Sequence, residues 1–297
     1  MEPRPRKYRN LARHLMHYLN IPDDSELLQS ETDLFNDLTT GRGSSRFLGV
    51  FSTRGITFGL KQFGILTHLE KAGLPGGQVR LDTREPYRHR IQIIHRLDSR
   101  EILSAELVMR RGQLSLPRLN PIRETLHDFL IVEWFLLQHP LKQFTQKRPQ
   151  LPGQEYPGLG ISRLIFELLY WTGRRLQVSG VVLIPNYLHT GLFYGRQCLF
   201  LSPERQGQLY ALSALLRRDV KLDQLSWACA EGHLIRKKSP DSVLWEPAPM
   251  ALPVSRELKD YFHTPDYIKR MTDAKREYRV RIRPGYQKKY TPKWTAE

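Results

Sequence analysis

Apolar residues along the chain follow two rhythms, one of helical period and one of alternation or short continuous runs, and their order predicts a mixed α/β core. Positions 8, 11, 12, 15, 16 and 19 form one apolar face of a docking helix over residues 8–19, closed by Asn20-Ile21-Pro22. Residues 23–45 are polar and end in Gly41, Gly43, Ser44 and Ser45, the pattern of a flexible loop. Residues 47–52 read as a strand, residues 58–72 as a helix stopped by Gly73, and Pro75-Gly76-Gly77 as a turn. Residues 90–94 and 102–109 read as two strands of a hairpin around Asp98-Ser99-Arg100. Residues 129–137 are apolar on both faces apart from Glu133, which predicts a central strand covered on both sides.

The second half repeats the alternation of elements. Ile161, Leu164, Ile165, Leu168, Leu169, Thr172 and Leu176 share one helical face, which stops near Ser179-Gly180. Residues 181–184 form a short buried strand, 186–197 a second helix, and 198–201 a strand able to close the sheet. Beyond Leu216, residues 222–229 read as helical and residues 243–250 as an extended, proline-limited edge segment. The resulting division is an N-terminal helix and polar loop (1–46), a core domain (47–216), a C-terminal extension (217–255) and a basic, aromatic-rich tail (256–297).

A chain of 297 residues with 40% hydrophobic content is long enough for one large or two modest domains. With no apolar run of 18 residues and no apolar stretch at the start, neither a membrane span nor export is expected, and the default address is cytoplasmic. Cys198 and Cys229 lack metal-ligand spacing, which predicts no metal site and two buried thiols. The formal charge of +16 is spread unevenly: residues 1–46 are neutral, residues 256–297 carry +6, and the middle carries +10. Either a solvated basic face or a polyanionic partner accounts for it, the latter a polyphosphate ligand, an acidic carrier protein or nucleic acid. In the tail, bases interleave with aromatics around Tyr278 and Tyr290, a pattern that grips a phosphodiester backbone or forms a plain charged tail.

No Gly-x-Ser-x-Gly elbow, Walker loop or His-Glu-x-x-His occurs, so serine hydrolase, P-loop and zincin readings lack support. His14 and His17 read as part of a basic helix face. The chemistry concentrates instead at Gln154-Glu155-Tyr156-Pro157-Gly158-Leu159-Gly160-Ile161-Ser162-Arg163. Two glycines one residue apart turn the backbone sharply after an apolar strand. The first N–H groups of the following helix then face outward with its positive dipole end, as an anion site requires.

This order of elements, with Gly158 and Gly160 opening the helix, resembles the GNAT superfamily of N-acetyltransferases, in particular a bacterial acyltransferase-like branch; the resemblance covers roughly residues 47–216. The family signature is Gln/Arg-x-x-Gly-x-Gly/Ala, and residues 155–160 match both glycines while Glu155 replaces the first position and Gln154 stands one residue off. The resemblance implies a mixed central sheet flanked by helices. It also implies an acyl-CoA-dependent N-acyltransferase passing an acetyl or other acyl group directly to a primary amine on a small molecule or protein lysine, with no metal. Donor binding would fall to Leu136, Leu137, Gly158, Leu159, Gly160, Ile161, Ser162 and Asn186. An acidic acyl carrier is an alternative donor for a basic surface.

Asn186 followed by Tyr194 looks like the family's asparagine and helix tyrosine, and a phenol there protonates the leaving thiolate; a core-packing tyrosine is the alternative. Glu133, isolated in an apolar strand, is the candidate base if burial raises its pKa, or a structural carboxylate satisfied by an arginine. His139 reads as a surface-loop residue. The competing function is nucleic-acid binding on an inactive acyltransferase-like scaffold.

Overall fold

The computed structural model describes residues 46–119, 126–217, 220–237 and 241–287. The helix expected over residues 8–19 with His14 and His17, the loop over 23–45, and the bases beyond 287 with Tyr290 lie outside these.

Residues 47–52 are not the expected strand. Leu48 and Gly49 adopt φ 54° and 73°, so the chain doubles back and Phe47 pairs with Phe51, both rings buried. Helix α1 (Thr53–Gln62) follows, capped by the Ser52 hydroxyl, which accepts from the Gly55 N–H at 3.0 Å. The single helix expected over 58–72 is divided: Gly64, at φ 75°, breaks it before α2 (Ile65–Lys71), which lets Leu60, Ile65 and Leu69 all face the core.

Four antiparallel strands form a meander: β1 (Gln78–Glu85), β2 (Arg88–Leu97), β3 (Arg100–Ser115) and β4 (Leu126–Leu137). The β2–β3 hairpin turns at Asp98 and Ser99, both at positive φ, as a two-residue loop matching the strand twist demands. Helix α3 (Ser162–Arg175) then crosses to β5 (Gly180–Leu183), which lies parallel to β4. Helix α4 (Leu188–Tyr194), β6 (Leu199–Phe200), α5 (Pro203–Ser213), a 3-10 turn (Ala214–Arg217), α6 (Leu222–Ala230) and β7 (Leu234–Arg236) follow. The chain continues with β8 (Met250–Pro253), α7 (Arg256–Phe262), α8 (Pro265–Glu277) and β9 (Val280–Ile282).

Among the described residues one sheet runs β1-β2-β3-β4-β5-β8-β6, with a separate β7–β9 pair. The fold is therefore mixed α/β, a seven-stranded mixed sheet flanked by helices. On its inner face, Ile93, Ala105, Met109, Leu130 and Val132 pack with Leu60 and Leu69 of the first two helices and with Ile165 and Leu169 of α3. On the outer face, α7 and α8 cover Phe129, Val182 and Ala251 with Leu258, Tyr261 and Tyr267. No helix among the described residues is long and apolar enough to cross a membrane.

Two expectations for the C-terminus need correction. Residues 243–249 are irregular, and it is Met250–Pro253 that forms a strand, placed inside the sheet between β5 and β6 rather than at an edge. Residues 256–282 are not a plain tail: Tyr261 and Tyr267 are buried and donate their hydroxyls to the Leu201 and Phe200 carbonyls at 2.8 and 2.7 Å. Cys198 and Cys229 are buried as expected, and burial pushes the Cys229 thiol up to about 11.

Candidate functional site

β4 and β5 pair only from Phe129↔Gly180 to Val132↔Leu183. β5 then ends at Leu183, whereas β4 continues to Leu137, so the β5-facing edge of residues 133–137 has no partner strand among the described residues. The glycine turn closes against the end of β4: a Cβ on Gly158 would lie 3.8 Å from the Leu137 carbonyl oxygen. Leu136, Leu137 and the turn are thus brought to one place.

Three bonds hold the turn. The His139 backbone N–H donates to the Pro157 carbonyl at 2.7 Å, the His139 ring to the Ala72 carbonyl at 2.8 Å, and the His68 ring to the Leu159 carbonyl at 3.2 Å. His139 is accordingly buried, not the surface-loop histidine expected, and works as a clamp between the turn and the end of α2. Leu159 and Ile161 point inward, which leaves Gly158, Gly160 and Ser162 exposed. Gly160 sits at φ 75°, where a side chain would be strained. No side chain caps α3, and the N–H groups of Gly158 through Ser162 have no hydrogen-bond partner among the described residues. Five N–H donors and the positive end of the α3 dipole therefore lie beside the unpartnered edge of β4.

Gln154 is committed to its own loop. Its side-chain oxygen accepts from the Leu151 N–H at 3.0 Å and so shapes the loop before the turn. Glu155 is exposed. A surface concavity of about 660 Å³, lined by Lys142, Phe144, Gly153 and Tyr156 among others, adjoins this loop.

The loop after β5 is held by Trp245, whose indole N–H donates to the Pro185 carbonyl at 2.8 Å. Asn186 is exposed in it, and the Tyr187 ring covers Gly153, which brings the loop against the segment preceding the turn. Tyr194, at the end of α4, packs its ring 6.3 Å from Phe135 of β4 and 5.5 Å from Phe166 of α3. Burial, with a smaller contribution from Cys198, holds its phenol well above the ordinary range, so it keeps its proton throughout the neutral region. His189, one turn earlier, is stacked on Tyr187 and pushed down to about 4 by burial, which makes it a poor proton acceptor.

Glu133 is not where its isolation in the sequence puts it. The β3–β4 register shifts between Val108↔Trp134 and Met109↔Val132, so Glu133 is the extra residue of a β-bulge. The bulge turns Glu133 and Trp134 to the outer face and lets Phe135 and Leu137 join Val132 on the inner one. The carboxylate is 29% exposed, and its two oxygens meet Arg88 and Arg110 at 2.7 Å each. Expected burial is thereby corrected, and the structural reading of this glutamate gains an ion pair on either side. We expect Glu133→Gln to change stability by no more than about 1 kcal/mol, the range of exposed ion pairs; urea unfolding checks this.

Phe135 and Phe166, which frame Tyr194, were not among the sequence candidates. Their signal was hidden, because strict alternation through the bulge places Phe135 on the face of Glu133. No family model matches the chain, and no curated protein matches it.

Proposed function

We propose that the chain is an acyl-CoA-dependent N-acyltransferase that passes an acyl group directly to a primary amine. The observation that carries this reading is the unpartnered edge of β4 beyond the end of β5, with the unpartnered N–H groups of Gly158–Ser162 beside it. The amides of a pantetheine arm can pair with an unpartnered strand edge, and a pyrophosphate can accept from clustered N–H donors; both stand here within contact of each other. The concavity beside residues 140–144 and 150–156 offers room for the nucleotide end.

In this reading the amine nitrogen attacks the thioester carbonyl, a C–N bond forms, and collapse of the tetrahedral species breaks the C–S bond. Amine and thioester become amide and free thiol. The Tyr194 hydroxyl gives its proton to the departing thiolate and is reprotonated by water, which also takes the proton lost from the amine. Glu133 has no part in these transfers. Its commitment to Arg88 and Arg110 on the outer face keeps it from the reacting atoms. Backbone N–H groups on the free edge of β4 face the developing oxyanion.

The nucleic-acid alternative has weaker support. Tyr278 and Val280 of the basic, aromatic-rich segment pack inward, and Arg88, Arg90 and Arg110 on the sheet's outer face lie beside Glu133 and Glu106.

Coenzyme A should raise the unfolding midpoint of the full chain, whereas a DNA or RNA oligomer should not. Gly158→Glu adds a charged side chain where only open space and the Leu137 carbonyl lie, so the fold should survive. Calorimetry is expected to show the dissociation constant for coenzyme A rising at least about tenfold, equivalent to about 1.4 kcal/mol. Unchanged affinity would remove the turn from the site.

A further inference from the structure

An apolar cavity of about 90 Å³ lies between α1, α3 and the inner face of β2–β4. Phe51, Ile56, Ala105, Phe135, Leu137 and Leu168 form much of its wall. The polar side chain in the lining is Thr172; Glu106, between Ala105 and Leu107, turns its carboxylate to the outer face, where Gln92 at 2.8 Å and Arg90 at 3.5 Å hold it. Interiors are otherwise packed to crystal density, and a void forfeits dispersion contacts along its whole lining. Space of this chemistry stays dry and takes hydrocarbon.

Its position says which hydrocarbon. Phe135 and Leu137 are shared walls: they line the cavity on one side, while on the other the Phe135 ring meets Tyr194 and the Leu137 carbonyl meets the glycine turn. A thioester carbonyl placed beside Tyr194 has the cavity within reach of its alkyl substituent.

We infer that the cavity receives the acyl chain of the donor, and that the donor is a short to medium straight-chain acyl thioester rather than an acetyl one. This rests on the acyltransferase reading above. An apolar cavity of about 150 Å³ holds the six carbons of benzene, so about four carbons fit here. With the carbonyl carbon left at the reaction centre, butanoyl and hexanoyl donors place about three and about five carbons in the cavity and so bracket that length.

The test is calorimetry on the full chain with coenzyme A and its acetyl, butanoyl, hexanoyl and dodecanoyl thioesters, with no amine present. Affinity is expected to rise about fourfold for each methylene added from acetyl to hexanoyl, and to rise no further with dodecanoyl. Ala105→Leu, which fills the cavity from the sheet, should abolish this gain while leaving the affinity for coenzyme A itself unchanged. Ile56→Phe fills it from α1 and serves where the strand variant does not fold. If coenzyme A binds and affinity is flat with chain length, or the gain survives both variants, the acyl pocket is wrong and the acyltransferase reading stands. If neither coenzyme A nor any thioester binds, that underlying reading fails and takes the pocket with it.

Discussion

Tyr194→Phe should lower turnover with a soluble amine acceptor by about 10²–10⁴-fold, the range for loss of a general acid. The substitution keeps the ring that packs between Phe135 and Phe166 and removes only the hydroxyl, so folding and donor affinity should hold. The loss belongs in kcat, because a proton delivered to the leaving sulfur stabilises the transition state and not the bound thioester. Burial raises the phenol's pKa, so ionisation of Tyr194 sets no alkaline limb in the wild-type pH profile below about pH 10, the value for free tyrosine. Steady-state kinetics from pH 6 to 9 check both points. Full turnover in the Phe variant would leave Tyr194 as core packing and the thiolate served by water.

The candidate site was legible in the sequence where one face of one element carried it. Ile161, Ile165 and Leu169 follow helical period, and the glycines ahead of them stand out by residue type, so α3 and its turn were readable. Tyr194 was singled out by the resemblance, with core packing as the alternative, and the structure places its ring against Phe135 and Phe166. The expected burial of Glu133 failed because a β-bulge inserts one residue into a period-2 pattern, and nothing in a run of apolar residues marks the place, while the alternative of a carboxylate satisfied by arginine held. His139 was misread for another reason: its two bonds, to Pro157 and Ala72, join segments far apart along the chain.

The fold shows the same division between local and distant causes. β1 escaped notice because its outer face, with Arg80, Asp82 and Arg84, is solvated and only Val79 and Leu81 alternate against it. β8 escaped notice because Met250–Pro253 is four residues long and has its partners in β5 and β6, well back along the chain. The basic C-terminal segment reads as solvated by composition, yet Leu258, Tyr261 and Tyr267 pack against Phe129 and Val182. Charge counts cannot reveal which side of an amphipathic helix is covered.

Gly207 gives the packing of that segment a measurable consequence. It lies on α5 facing α8, and a Cβ there would overlap the Met271 carbonyl oxygen and come within 2.8 Å of the Lys275 nitrogen. These are backbone atoms, so the contact cannot be relieved by turning a side chain. On an exposed helix, replacing glycine with alanine stabilises by about 1 kcal/mol through helix propensity. Here the sign should reverse: Gly207→Ala is expected to destabilise, and Gly207→Leu to cost about 3 kcal/mol or more, as overpacking of a close helix pair does. Because α8 carries Tyr267, whose hydroxyl satisfies the Phe200 carbonyl on the edge strand β6, pushing α8 away should also loosen that edge. Urea unfolding of both variants measures the loss, and hydrogen exchange at β6 reads the edge. If Gly207→Ala instead gains stability, the two helices are not in backbone contact, and the C-terminal segment is a looser attachment than the buried tyrosines imply.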